Sequence, residues 1–141
     1  MPRMTSVYLP GQDLPAIRAR LRPEDGAGTG GALLVACLCA GWCRTCDAYL
    51  DVFKALAAGH LQACFVWLDV ESFPELIDDA EIENFPTLLI QDEQATRFFG
   101  TVLPHKEVLA RLIAQAIERT GAVMGEQAPP LRLRLAGLQT A

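Results

Sequence analysis

Two cysteines three residues apart, in Trp42-Cys43-Arg44-Thr45-Cys46, are the side chains of this sequence best suited to chemistry. They follow a continuous apolar run and open a stretch of helical periodicity. On a helix, residues three apart are neighbours with Cβ atoms about 5–6 Å apart. A small adjustment brings such a pair to the ~3.8 Å that a disulfide requires. Cys43 is expected at the helix N-terminus, where unpaired N–H groups and the helix dipole favour a thiolate. Cys46 falls one turn further, on the apolar stripe. This asymmetry suits dithiol–disulfide exchange: an exposed thiolate attacks a disulfide, and a sheltered second thiol resolves the mixed disulfide.

The other three of the five cysteines, Cys37, Cys39 and Cys64, lie in apolar runs. An odd count argues against a secreted disulfide scaffold. Cysteine is a frequent core residue, so these three are read first as packing. Cys39, four residues before Cys43, has a second reading as a partner of Cys43 under oxidation. Cys37, Cys39, Cys43 and Cys46 also spell C-x-C-x3-C-x2-C, but zinc needs four ligands converging tetrahedrally, usually from two turns. Cys37 and Cys39 point to one face of a buried strand, which weighs against zinc or an iron–sulfur cluster, and no metal is expected. His60 and His105 stand alone and are expected to be exposed. The glycines of 26–31 precede a strand, whereas a dinucleotide fingerprint follows one and opens a helix, so they are read as a loop.

The elements around the cysteine pair are legible from periodicity. The chain has 141 residues, 51% hydrophobic and 21% charged, which suits one domain with a real core. A net charge of −5 argues against nucleic-acid binding. No apolar run reaches the ~18 residues of a membrane span, and no apolar stretch follows the N-terminal charge, so no secretory signal and a cytoplasmic location are expected. Strands are predicted over residues 6–9, 32–39, 64–70, 87–91 and 95–99, the last two forming a hairpin. Helices are predicted from Asp13 as N-cap to Leu21, from Cys43 to Gly59, over residues 74–79 and over residues 106–119. The acidic pairs Asp78-Asp79 and Asp92-Glu93 are read as solvated turns. This order gives an α/β fold mixing parallel crossovers with a final antiparallel hairpin. The segment 122–141 is read as a tail, docked or disordered, in which Leu131-Arg132-Leu133-Arg134-Leu135 alternates like an amphipathic strand.

The cysteine motif, its place after a buried strand, the later Phe85-Pro86-Thr87-Leu88-Leu89, the hairpin, Gly100 and the final helix together resemble the thioredoxin family over roughly residues 5–120. The two-cysteine motif is a known signature of that family. The resemblance implies a thioredoxin-like α/β fold over residues 1–121, with a central mixed sheet of about five strands and helices on both faces. It implies a thiol–disulfide oxidoreductase with Cys43 as nucleophile and Cys46 as resolving cysteine. It also implies a cis peptide bond at Pro86 and a substrate groove lined by Trp42, Arg44, Thr45, Phe85, Pro86 and Gly100. No bound cofactor is implied. The expected partners are disulfide-containing protein substrates and an electron donor, either a reductase or a small thiol.

Five positions depart from the family pattern. Cys37 stands where thioredoxins usually carry a buried aspartate that helps deprotonate the resolving cysteine, and Trp67 replaces the lysine that usually pairs with it. Arg44-Thr45 replaces the usual Gly-Pro between the cysteines. Arg44 favours the Cys43 thiolate, whereas Asp47, where a lysine is common, opposes it, so the two partly cancel. The missing aspartate and the amphipathic tail leave a second function open: a thioredoxin-fold binding module or chaperone that uses the groove with little catalysis.

Overall fold

The computed structural model describes residues 7–21, 33–40, 44–60, 63–77, 86–92, 96–101, 105–118, 129 and 131–135, with side chains throughout except at 44–47 and 133. Five strands form one sheet: β1 (Val7–Tyr8), β2 (Leu33–Cys39), β3 (Ala63–Asp69), β4 (Thr87–Gln91) and β5 (Thr96–Thr101), in the spatial order β1-β3-β2-β4-β5. The first three run parallel to one another, and β4 and β5 are antiparallel additions. The expected mixed five-stranded α/β sheet is therefore present, with helices on both faces.

β2 lies between β3 and β4, so its side chains enter two cores alternately. Val35, Cys37 and Cys39 face one core with Phe65, Leu88 and Ile90. Leu34, Ala36 and Leu38 face the other with Cys64, Val66 and Leu89. This two-sided burial explains why the strand reads as an unbroken apolar run rather than an alternating one.

On the first face lie α2 (Arg44–Gly59) and α4 (Lys106–Glu118). The α2 stripe is Tyr49, Phe53, Leu56 and Ala57, all buried. Phe53 meets Phe65 edge-on at 5.1 Å between ring centroids and Trp67 at 5.8 Å. On α4 only Leu109, Ile113 and Ala116 reach the core fully. Val108 and Ile117, part of the predicted stripe, are 40% and 38% exposed because the i, i+4, i+7 line alone faces the sheet.

On the second face lie α1 (Pro10–Leu21), α3 (Pro74–Ile77) and a five-residue helix α5 (Leu131–Leu135). Asp13 has φ −117° and ψ 16°, a kink between the opening turn and the helix proper. Its carboxylate accepts the Leu9 N–H at 2.8 Å. α1 thus starts three residues before the expected N-cap, and Asp13 tethers the opening turn from the kink.

The predicted strand-like alternation at residues 131–135 is instead a helical turn. Leu131 and Leu135, four apart, are both fully buried in the second core, and helical spacing puts them on one face. Polar groups lock the turn in place. The Arg132 guanidinium donates to the Leu21 carbonyl at 3.1 Å, near the C-terminus of α1. The Arg132 N–H donates to Gln91 Oε1 at 2.8 Å, and Gln91 Nε2 donates to the Pro129 carbonyl at 2.9 Å. Arg134 donates to the Leu76 carbonyl of α3 at 2.8 Å. One short segment therefore ties α1, α3 and β4 together. The other residues of 122–141 lie outside the described residues.

Arg132→Ala removes a charged donor from a buried carbonyl, a loss of about 1–3 kcal/mol. Its urea midpoint should fall accordingly at an unchanged m-value. An unaltered midpoint would show that the Arg132–Leu21 hydrogen bond contributes nothing to stability.

Candidate functional site

The parallel strand β2 ends at Cys39, whose carbonyl accepts the Val70 N–H at 2.9 Å, and the buried Ala40 follows. α2 begins at Arg44. The chain thus passes from the carboxyl end of a buried strand to a helix N-terminus within a few residues, the arrangement that places ligand sites at strand ends in open α/β sheets. Cys46 lies in the first turn of α2. Arg44 and Thr45 share that turn, while Trp42, Cys43 and Phe85 lie outside the described residues.

The strand register brings the other expected groove residues to the same end of the sheet. Leu38 pairs with Thr87, and Thr87 pairs with Thr101. Pro86, buried, stands immediately before β4, beside the carboxyl end of β2. Gly100 pairs with Leu88 one residue inward on β5. A Cβ at Gly100 would meet the Phe98 ring at 3.5 Å, an ordinary contact, so glycine is not demanded there by crowding within the chain.

Below this edge the core holds a group of polarizable side chains that periodicity alone did not single out. Cys37 and Cys39, on one face of β2, have sulfur atoms 3.4 Å apart. Tyr49, one turn after Cys46 on α2, packs in the same core, and among the described residues its buried hydroxyl finds no hydrogen-bond partner. Burial, and then the nearby Cys37 and Cys39, hold the Tyr49 phenol far above the ordinary tyrosine range. A signal was present in the sequence: Cys-x-Cys in a strand puts both thiols on one face. The phenol of Tyr49 lay on the stripe assigned to that face.

Cys37 pairs across the sheet with Trp67, so an apolar neighbour stands where the family pattern has an acid–lysine pair. Cys64 faces the opposite core. Burial pushes its thiol up from 9.0 to about 11, opposed by the Arg20 and Arg132 charges. Among the described residues no group of three or more His, Cys, Asp or Glu side chains is placed to hold a metal ion.

Two expectations about charged and titratable residues need correction. Asp92 is not a solvated turn residue: it is buried and ion-paired with Arg97 at 2.7 Å across the β4–β5 hairpin. His60 is only half-exposed. It packs on Phe65 with ring centroids 6.3 Å apart, and its Nδ1–H donates to the Leu56 carbonyl at 2.8 Å, which closes the end of α2. His105 is exposed, as expected.

Comparison with known proteins agrees with this architecture. The thioredoxin family model matches residues 30–115. Bovine (Bos taurus) glutaredoxin-3 is 30% identical over 107 residues, covering 73% of this chain and 32% of that protein. The chain thus spans about a third of the length of that relative. Thioredoxin-2 of Saccharomyces cerevisiae is 27% identical over 79 residues, 55% of this chain and 76% of its own. A thioredoxin f2 solved in complex with ferredoxin:thioredoxin reductase shares the fold at a TM-score of 0.57 and 18% identity, covering 82% of this chain and 99% of that one.

The raised Cys64 pKa fixes the sign of an alkaline effect. Below pH 9 the thiol is protonated in both states. Between about pH 9 and 11 the unfolded chain loses the proton while the folded chain keeps it, so stability falls as pH rises. The shift of two units corresponds to a loss of about 2–3 kcal/mol at the top of that window. Urea midpoints at pH 8 and pH 10.5 should therefore fall less steeply for Cys64→Val than for the wild type. Equal slopes would contradict the assignment.

Proposed function

The chain belongs to the thioredoxin family, and on that basis we propose that it is a thiol–disulfide oxidoreductase acting on protein disulfides through Cys43 and Cys46. The observation that carries this reading is the start of α2 at Arg44, directly after Cys43, with Cys46 in the first helical turn at the carboxyl end of β2. In the proposed cycle the Cys43 thiolate attacks one sulfur of the substrate disulfide. A Cys43–substrate bond forms, and the substrate's other sulfur leaves as a thiolate. Cys46 then attacks the Cys43 sulfur, which releases the second substrate thiol and forms the Cys43–Cys46 disulfide. Two electrons pass to the substrate. A reductase or a small thiol returns them, and no bound cofactor takes part.

The free N–H groups of the first turn favour the attacking thiolate. The groove is assigned to Trp42, Arg44, Thr45, Phe85, Pro86 and Gly100. In support, the register sets Pro86 beside the end of β2 with Gly100 on the next strand. A cis bond at Pro86 would present the Phe85 backbone to an extended substrate. The reductase complex of the related thioredoxin f2 favours a protein electron donor. No helix among the described residues is long and apolar enough to cross a membrane, and a cytoplasmic location with a family domain over residues 1–121 completes the proposal.

A second reading, a binding module or chaperone using the same groove, is favoured by one observation. With Cys37 against Trp67, no carboxylate stands at the position that deprotonates the resolving cysteine in the family.

The two separate by mutation. In dithiothreitol-driven reduction of a protein disulfide, Cys43→Ser should fall to the uncatalysed background, and Cys46→Ser should accumulate a mixed disulfide on Cys43. A Cys43→Ser variant that keeps the wild-type rate contradicts the enzyme reading. One that loses no partner binding, in a wild type without catalysis, supports the module.

A further inference from the structure

We propose that Cys37 and Cys39 form a two-coordinate site for copper(I), with the Tyr49 hydroxyl as hydrogen-bond donor to the metal-bound sulfur. The site uses neither Cys43 nor Cys46 and stands apart from the proposed oxidoreductase function.

The strand sets the geometry. Cys37 and Cys39 present both thiols to one core, with sulfur atoms 3.4 Å apart. Residues two apart in a strand have Cα atoms about 6.6 Å apart, and their side chains leave it nearly parallel. The Cβ atoms are thus set wider than the ~4.5 Å that a disulfide allows. β2 is paired on both sides and does not bend to shorten that distance. A metal bridge makes the opposite demand. With metal–sulfur bonds of about 2.3 Å, as in zinc thiolates, a linear S–metal–S unit spans about 4.6 Å. Side-chain rotation reaches that span by parting the sulfur atoms by about 1.2 Å, while the backbone keeps its register.

The number of ligands selects the metal. Zinc sites and iron–sulfur clusters are held by more than two protein ligands. Among the described residues no third His, Cys, Asp or Glu joins this pair, and Cys64 faces the opposite core. Soft thiolates favour copper(I), whose filled d shell accepts linear coordination by two sulfur atoms.

The unused phenol fits the charge of the product. Copper(I) displaces one proton from each thiol to solvent, no electron moves, and the bis-thiolate complex carries one negative charge. Both sulfur atoms are buried, so that charge needs a donor inside the core. Tyr49 is fully buried, and among the described residues its hydroxyl has no partner. An orphaned buried donor calls for an explanation. Cys37 and Cys39 are near enough to Tyr49 to add to the effect of burial on its phenol. Copper enters at the carboxyl end of β2, where Cys39 is the last residue, by exchange from a carrier thiolate such as glutathione.

The test uses the full chain carrying Cys43→Ser and Cys46→Ser, which leaves Cys37, Cys39 and Cys64 as its thiols. The reduced protein is titrated anaerobically with copper(I) in competition with bicinchoninate, whose coloured copper(I) complex reports the metal left over. One copper(I) per chain should be withheld from the chelator, and X-ray absorption at the copper edge should show two sulfur ligands. Adding Cys64→Ser should leave retention unchanged, and adding Cys39→Ser should abolish it. Tyr49→Phe should weaken it about tenfold or more, the usual effect of losing a hydrogen bond to a metal ligand. Urea midpoints check that each variant is folded. Four results overturn the proposal: no copper withheld, retention unchanged by Cys39→Ser or by Tyr49→Phe, retention lost in Cys64→Ser, or three or more sulfur ligands at the copper edge. The first and last are read without a further substitution, so they decide even where Cys39→Ser fails to fold.

Discussion

The burial of β2 on both faces is the constraint from which the rest of this molecule follows. Its backbone N–H and C=O groups are out of reach of water and must be paired by neighbours on both sides. β3 provides a parallel partner and β4 an antiparallel one. Its side chains must also be covered on both faces, which requires helices above and below: α2 and α4 on one side, α1, α3 and α5 on the other. A strand so enclosed can release the chain to solvent only at its ends. At the carboxyl end β2 stops at Cys39, the buried Ala40 follows, and α2 starts at Arg44. Cys46 stands in the first turn of that helix, and the start of β4 lies beside the end of β2.

The same enclosure shapes the chemistry of the core below the motif. Charges are expensive there, and an isolated acid would shift its pKa or demand a partner. This chain has thiols, a phenol and Trp67 in place of an acid–lysine pair. The result is an uncharged, polarizable layer of thiols and aromatic rings. The cost is a buried tyrosine hydroxyl without a partner among the described residues. The opposite core handles its polar groups differently: Gln91 and Arg132 are satisfied by each other and by backbone carbonyls.

Much of the fold was legible from residue periodicity because each long element carries one clear signal. The apolar run of 32–39 marked β2, and the i, i+3, i+7 spacing from Cys46 through Tyr49 and Phe53 marked α2. The hairpin was marked by two apolar runs flanking Asp92. What was not legible depended on contacts distant in sequence. Asp92 reads as a solvated turn until Arg97 is seen across the hairpin. Leu131 to Leu135 alternates like a strand, but its two end leucines are buried in a core assembled from α1, α3 and β4, and that burial selects a helix. The motif Cys-x-x-Cys was evident at once, whereas the closeness of Cys37, Cys39 and Tyr49 required the packing of α2 on β2.

The central claim is that Cys43 and Cys46 form a reversible couple at the junction of β2 and α2. The most direct measurement is a redox titration of the full chain against a glutathione buffer, reading thiol-labelling mass shifts for these two cysteines. The account predicts a single two-electron transition assigned to this pair, at a potential within the range of about −270 to −120 mV spanned by dithiol reductants and oxidants. The absence of any reversible bond between Cys43 and Cys46 across that range would contradict it.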